Sequence, residues 1–381
     1  MAWTYYQKVL AIVMVITGSL NTLSVKYADQ QIVPGQDGQP RNFNHPFMQS
    51  SFMFLGEMCC LLLFKIAFCY YNRQNSSVDS NVLTKGSRIF NPFVLFIPAM
   101  CDMVATSVMY IGLTMTYASS FQMLRGAVIV FTGLLSVGFL NRKLGSREWF
   151  GISLVINGLA LVGISDFIMK HDDKVSTNSI ITGDLLIICA QVVTAVQMVV
   201  EEKYVAGLDI PALQAAGWEG VFGFVGICLA MIPLNYIHAL PPFADNSRGT
   251  MEATLDAFVQ IGNSGHLLMA IIGMTVSIAF FNFAGLSVTK EISATTRMVL
   301  DSVRTIVIWG FSLIFKWQNF HYLQLIGFAV LLTGMSCYNN VIVPQLFKKI
   351  QCRLGRHRPP QDEENVINTA ADDIGENRDI H

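Results

Sequence analysis

Charge is scarce in this chain. Asp, Glu, Lys and Arg make up 13% of its 381 residues, against roughly 25% in soluble domains. With so little charge the chain has no polar coat for a water-facing surface, and its mean hydropathy of +0.47 agrees. No broad basic segment exists to meet phosphates, which excludes nucleic acid as a partner. There is no Gly-rich phosphate loop with a Lys, no HExxH helix and no GxSxG elbow, so the usual enzyme signatures are missing and no cofactor is called for. Close cysteine pairs in polar loops are missing too. The eight cysteines, at 59, 60, 69, 101, 189, 228, 337 and 352, lie mostly inside apolar runs. They read as small core residues, not as a disulfide framework or a zinc site. The first apolar run, from about Val9 to Val25, lacks a basic segment before it and a small-x-small site after it, so it reads as a retained span, not a cleaved leader.

Long apolar runs are what the chain has instead. A spanning helix needs about 20 mostly apolar residues. Runs of that kind cover 8–27, 47–71, 92–116, 118–140, 148–168, 182–202, 212–234, 266–288, 294–316 and 321–343. They are contiguous and lack strand-like alternation, so they read as ten transmembrane helices. Two segments are too polar for lipid: a loop at 72–91 and a tail at 344–381 that reads as disordered. The loops holding Arg73, Lys85, Arg88, Arg142, Lys143, Arg147, Lys203 and Lys290 are richer in positive charge than those holding Arg41, Lys170, Lys174, Arg248 and Lys316. The richer set is expected in the cytosol, with both termini. The Asn75-Ser76-Ser77 sequon then also lies in the cytosol, where it stays unused.

The chain partly matches itself when shifted by 176 residues. Leu124 falls on Leu300, Ser136 on Ser312, Phe139 on Phe315, Gly151 on Gly327 and Gly158 on Gly334. Further echoes, such as Lys26-Tyr27 with Lys203-Tyr204, keep the order of five helices. An odd number of spans per copy inverts the second copy in the membrane. The expectation is an all-α integral membrane protein of two inverted five-helix repeats, 1–168 and 169–343, meeting at a central site, the usual architecture of alternating access.

Charges inside these spans need a reason, because each costs about 2.5–3.5 kcal/mol at the bilayer centre on insertion scales. Arg297, Asp301 and Arg304 are spaced to share one helix face. Arg125 stands at the repeat position of Asp301, with Gln122 nearby. Two arginines around one aspartate leave a positive stripe, and guanidinium groups grip phosphate or carboxylate bidentately. Gln122, Arg125, Arg297, Asp301 and Arg304 are therefore the candidate substrate-binding set. The same charges also fit an ion-pair lock holding the two halves together. Glu57, Asp102 and Glu219 read as isolated acids at membrane depth, candidate coupling acids for protons. Glu201, Glu202 and Lys203 read as interfacial and solvated.

Two segments carry a family resemblance. They are Ala118-Ser119-Ser120-Phe121-Gln122-Met123-Leu124-Arg125-Gly126-Ala127 and the run from Glu291 to Thr305 that contains Arg297, Asp301 and Arg304. With Thr182-Gly183-Asp184-Leu185-Leu186 and Glu201-Glu202-Lys203-Tyr204, they resemble solute carrier family 35, F branch, of the drug/metabolite transporter superfamily. The resemblance implies ten helices in inverted repeats and an endomembrane location, lysosomal or Golgi. Better-known branches exchange nucleotide sugars for nucleoside monophosphates. Their Phe-Tyr-Asn-Asn and Gly-Ala-Leu-Asn-Lys types of motif are not evident here, so the substrate stays open.

The combined expectation is a secondary transporter of a small anionic metabolite, nucleotide-, nucleotide-sugar- or organic-acid-like. An organic-cation carrier using Asp301, Glu57 and Glu219 as counter-ions is one alternative, and a membrane adaptor is another. The partners expected are a small-molecule solute and the lipid bilayer. A homodimer and cytosolic proteins meeting the tail are candidate assemblies.

Overall fold

The computed structural model describes residues 4–73, 86–87, 90–116, 118–139, 144–168, 177–238, 248–291, 294–315 and 322–339. Most of the 72–91 loop, the sequon at Asn75, Cys352, the tail 344–381 and the side chain of Gln122 lie outside the described residues.

The chain enters α1 (Tyr5–Asp29) through a capping box: the Thr4 hydroxyl accepts from the Gln7 N–H, and the Gln7 side chain accepts from the Thr4 N–H. A short hairpin follows, β1 (Ile32–Pro34) antiparallel to β2 (Pro40–Asn42), with Val33 opposite Arg41. Its turn places Gly38 at φ +74°, where a side chain would be strained. Beside it the Arg41 guanidinium hydrogen-bonds Asp37 and holds that carboxyl below its ordinary pKa. Then come α2 (Pro46–Arg73), a 3₁₀ turn at Pro92–Leu95 and α3 (Phe96–Met115). The next pass is broken. α4 (Ala118–Leu124) tightens into a 3₁₀ turn at Arg125–Ala127 before α5 (Val128–Phe139). The remaining helices are α6 (Ser146–Ile168), α7 (Thr177–Glu201) with a π turn at Glu202–Ala206, α8 (Ala212–Leu234), α9 (Thr254–Asn263), α10 (Gly265–Glu291), α11 (Ala294–Ile314) and α12 (Tyr322–Asn339).

Among the described residues seven helices are long and apolar enough to cross a membrane: α1, α2, α3 with its leading turn, α6, α7, α8 and α10. The sequence reading expected ten spans. The pass through α4 and α5 is interrupted at Arg125, α11 carries three charges in 21 residues, and α12 is short at 18 residues. Length and apolarity alone therefore do not count them.

The helices bury one face in the bundle and leave the other apolar. In α1, Met14, Gly18 and Val25 are buried while Ile12, Ile16 and Leu20 are exposed, as a lipid-facing stripe requires. The cysteines divide likewise. Cys60 is buried, but Cys59, Cys69 and Cys189 are exposed, which corrects their reading as core residues. Helical periodicity turns Cys59 away from the face that holds Cys60.

Packing follows a few intimate pairs. α1 lies on α10 and α11, α3 on α7, α2 on α8 and α10, and α6 on α12. The α6–α12 contact is backbone to backbone. A Cβ added to Gly151 would sit 2.9 Å from the Gly334 carbonyl oxygen, and one added to Gly334 the same distance from that of Gly151; Gly158 and Gly327 approach in the same way. Gly151→Val is therefore expected to destabilise the bundle by about 1–3 kcal/mol, because two helix backbones must part. Thermal unfolding in detergent measures this.

At the end of α3 the free carbonyls of Leu113 and Thr116 accept from Lys26 Nζ, at 3.0 and 3.2 Å, a cation where the helix dipole is negative. The Thr116 hydroxyl donates to Asp184 of α7 at 2.7 Å. Those bonds tie α1, α3 and α7 together beside the break that leads into α4.

Candidate functional site

The broken pass is the starting point. A 3₁₀ turn inside a long helix frees backbone groups and redirects side chains, a common feature of functional hinges. Here it presents Arg125, whose guanidinium lies 5.7 Å from the Phe121 ring centroid and 3.9 Å from Asp301 Oδ2. Asp301 also lies 2.8 Å from Arg304 Nη2. Arg304 heads the fully buried side chains at 1% exposure, and its guanidinium stacks over Phe281 at 4.7 Å. The space for it comes from α1: a Cβ on Gly18 would reach within 2.7 Å of Arg304 Cδ. Among the described residues, neither Nε nor Nη2 of Arg304 completes a hydrogen bond despite the nearby carboxylate.

Arg297 turns the other way. Its Nη1 lies 3.3 Å from Glu201 Oε2, and Gly285 of α10 leaves room for the guanidinium. Glu201 is 4% exposed and also accepts from Gln197 Nε2 at 2.7 Å. It stands where α7 loosens into its π turn, another local irregularity that often marks a working site. The expectation that Glu201 is solvated is thus wrong. Glu201 is the last residue of α7, and the Arg297 guanidinium of α11 reaches it there.

The three acids read as isolated are not isolated. Glu57 accepts from Asn282 of α10, Asp102 accepts from the Thr106 hydroxyl at 2.9 Å, and Glu219 Oε1 has no hydrogen-bond partner among the described residues. All three line the same cavity as Glu201, Arg125, Arg297, Asp301 and Arg304. The cavity measures about 120 Å³ and includes Tyr110, Asn21 and five methionines at Met14, Met53, Met109, Met198 and Met335.

In this space the positive stripe of α11 is outnumbered by acids from other helices. Five carboxylates (Glu57, Asp102, Glu201, Glu219 and Asp301) face three guanidiniums (Arg125, Arg297 and Arg304), an excess of two acids among the described lining residues. α11 alone is net positive, but its arginines are spread between Asp301 and Glu201. The result is a polarised cavity. One wall gathers Arg125, Asp301 and Arg304; the other gathers Glu57, Asp102, Glu201 and Glu219, with Arg297 between them.

The structure therefore brings together every predicted site residue whose side chain is described. Sequence reading missed Glu201, Gly18, Phe281 and Asn282. The usable signal for Glu201 was the unbroken apolar run leading up to it; Gly18, Phe281 and Asn282 give none without knowing that α1 and α10 flank α11. Among the described residues no group of three or more His, Cys, Asp or Glu is placed to hold a metal ion.

Comparison with known proteins bears on what the cavity serves. The family profile described as Nucleotide-sugar transporter matches residues 4–228. The protein named Solute carrier family 35 member F6 from Homo sapiens is 51% identical, covering 95% of this chain and 95% of its own. A protein named UDP-galactose transporter from Schizosaccharomyces pombe is 22% identical, over 80% of this chain and 82% of its own. A crystal structure 11% identical in sequence matches with a TM-score of 0.53, over 91% of this chain and 99% of that one, which shows a shared fold.

Proposed function

Because the chain belongs to the nucleotide-sugar transporter family, within solute carrier family 35, we propose that it carries a small anionic metabolite by alternating access, with the anion held at Arg125 and Arg304. The observation behind this reading is the buried Arg304 guanidinium, which faces the cavity with Nε lacking a hydrogen-bond partner among the described residues and Nη2 meeting only the Asp301 carboxylate, without a well-aligned hydrogen bond. Burying a cation without its hydrogen bonds is costly, and a bound phosphate or carboxylate supplies the missing acceptors in the bidentate geometry that Arg favours. Phe281 and Gly18 hold the guanidinium in place, with the Asp301 carboxylate beside it. The cavity of about 120 Å³ takes one small group of that kind; anything larger enters only when the bundle opens.

The alternating-access part of the proposal draws support from the way the helices pair. Let 1–168 and 169–343 be two inverted copies of five passes. α1 then corresponds to α7, α2 to α8, α3 to α10, the α4–α5 pass to α11, and α6 to α12. Under that exchange the α1–α10 pair becomes the α7–α3 pair, α2–α8 and α6–α12 map onto themselves, and α1–α11 becomes the contact of α7 with α4 and α5. Gly151 and Gly327, and Gly158 and Gly334, are the 176-residue equivalents, and they meet crosswise. In this proposal both termini are cytosolic, the membrane is lysosomal or Golgi, and the tail is free to meet cytosolic proteins.

The test is a thermal-shift screen of the purified full chain in detergent against uridine monophosphate, UDP-N-acetylglucosamine, citrate and tetraethylammonium. A ligand at 100 times its dissociation constant adds about 2.7 kcal/mol to the folded state, and stabilisation by the anions is expected. Its loss in Arg125→Gln would place the anion at this wall. Stabilisation by tetraethylammonium alone would reverse the charge assignment.

A further inference from the structure

The acid wall is left over once the arginines are assigned. Glu57 comes from α2, Asp102 from α3, Glu201 from the end of α7 and Glu219 from α8. Each is buried or lines the cavity, and each lies within electrostatic reach of others in the set: Glu57 of Asp102 and Glu201, Asp102 of Glu201, Glu219 of all three. The other titratable groups facing them are Cys60 on α2, Cys101 and Tyr110 on α3, Arg297 on α11 and Arg125 at the broken pass. α10 contributes Asn282 and no charge to the lining. Among these only Arg297 is ion-paired to the acid set, through Glu201. Glu219, 5% exposed, directs an oxygen without a hydrogen-bond partner into the cavity wall.

With every lining group ionised the site would hold two more negative than positive charges before any anion arrives. An anion entering a low-dielectric space of that sign raises its energy further unless positive charge comes with it. The positive charge that fits beside several carboxylates, with one oxygen unsatisfied, is a proton: carboxylates crowded in one site share protons because like charges resist ionising together. Intramembrane acid sets of this kind serve as relays in pumps and transporters.

We propose that Glu57, Asp102, Glu201 and Glu219 form a proton-binding wall, with Glu219 as the exchanging group, and that the anion moves together with protons. This rests on the anion reading of the arginine wall. Protons come from water on the open side, sit on the carboxylates while both species are bound, and leave with the anion on the other side. Arg297 joins the two walls. When the carboxylates are protonated its partner Glu201 is neutralised, so the guanidinium is released toward the anion. When the anion has gone the pair closes again.

Two measurements on the full chain separate this from its premise. Infrared spectra of the purified protein without substrate should show protonated-carboxyl absorbance that falls in Glu219→Gln and is unchanged in Asp37→Asn, an exposed hairpin acid. In proteoliposomes, an inward proton gradient should raise accumulation of radiolabelled uridine monophosphate about tenfold for each pH unit and each proton coupled, and Glu219→Gln should lose that gain. Absorbance that does not change in Glu219→Gln overturns the proton wall, as does accumulation indifferent to the gradient. Accumulation of tetraethylammonium that displaces the protons overturns it too, making the wall a cation site. If uridine monophosphate is not taken up at all, the anion premise loses support while the infrared result still decides the proton site.

Discussion

Arg304→Ala is expected to abolish transport and to destabilise the protein, by less than the roughly 3–5 kcal/mol usual for breaking a fully buried pair, because Asp301 is 29% exposed. Asp301 loses its 2.8 Å neighbour and, among the described residues, keeps only Arg125 as an ion-pair partner, at 3.9 Å. Phe281 loses the guanidinium stacked on it, and a cavity opens against Gly18. Loss of activity alone would not separate a binding site from an ion-pair lock, so the informative protein is the double variant Arg304→Met with Asp301→Leu. It removes both charges and keeps the volume near Phe281. Replacing a buried pair by apolar groups of similar size is often close to neutral for stability. Recovered thermal stability with transport still absent assigns Arg304 to substrate. Recovered stability with recovered transport assigns it to the lock and sinks the anion site.

The second large effect lies outside the membrane-crossing helices. The hairpin and the start of α2 are held to the segment after α8 by three buried side chains. His45 Nδ1 lies 2.6 Å from Glu252 Oε1, and its Nε2 lies 3.8 Å from Asp256 Oδ2. Glu252 also accepts from the Met48 and Ala253 N–H groups at 3.2 and 2.9 Å, and Asp256 from the Gln36 N–H at 2.6 Å. Gln260 and Asn263 on α9 donate to the carbonyls of Val33 and Pro34. Glu252 is 1% exposed and His45 2%. Glu252→Ala would strand an imidazole nitrogen and two N–H groups away from water, at about 1–3 kcal/mol for each buried group left unsatisfied. A loss of several kcal/mol in thermal unfolding is expected, with Glu252→Gln milder because its amide still offers an acceptor. Hydrogen exchange should rise over 31–45 and 250–257 while α6 and α12 stay protected. Uniform loss of protection would mean that this clasp is part of the global core and not a separable closure of one end.

Much of the fold is legible in the sequence because a bilayer leaves the backbone few choices. Runs of apolar residues such as those of α2 and α10 must close their own hydrogen bonds in lipid, so they are helices whatever their neighbours. The shared face of Arg297, Asp301 and Arg304 is equally local, since helical periodicity alone sets it. The break at Arg125–Ala127 was not legible. Nothing in Leu124-Arg125-Gly126-Ala127 forbids an α-helix, and Gly126 packs against Met335 and Leu331 of α12 only once that helix is in place. The partner of Arg297 was not legible for a related reason. Spacing offered Asp301, one turn away, whereas the folded chain offers Glu201 from α7 with Gly285 opening the path.

Composition and periodicity by themselves determined that this chain is an α-helical membrane protein and that α11 carries an Arg-Asp-Arg face, since both follow from interactions within one helix and its solvent. Only the tertiary structure decided what those charges meet. Glu57, Asp102, Glu201 and Glu219 stand on four helices, and their grouping depends on which faces α2, α3, α7 and α8 turn toward one another. The sign of a buried site is a sum over neighbours distant in sequence, and a low dielectric makes each of those neighbours count.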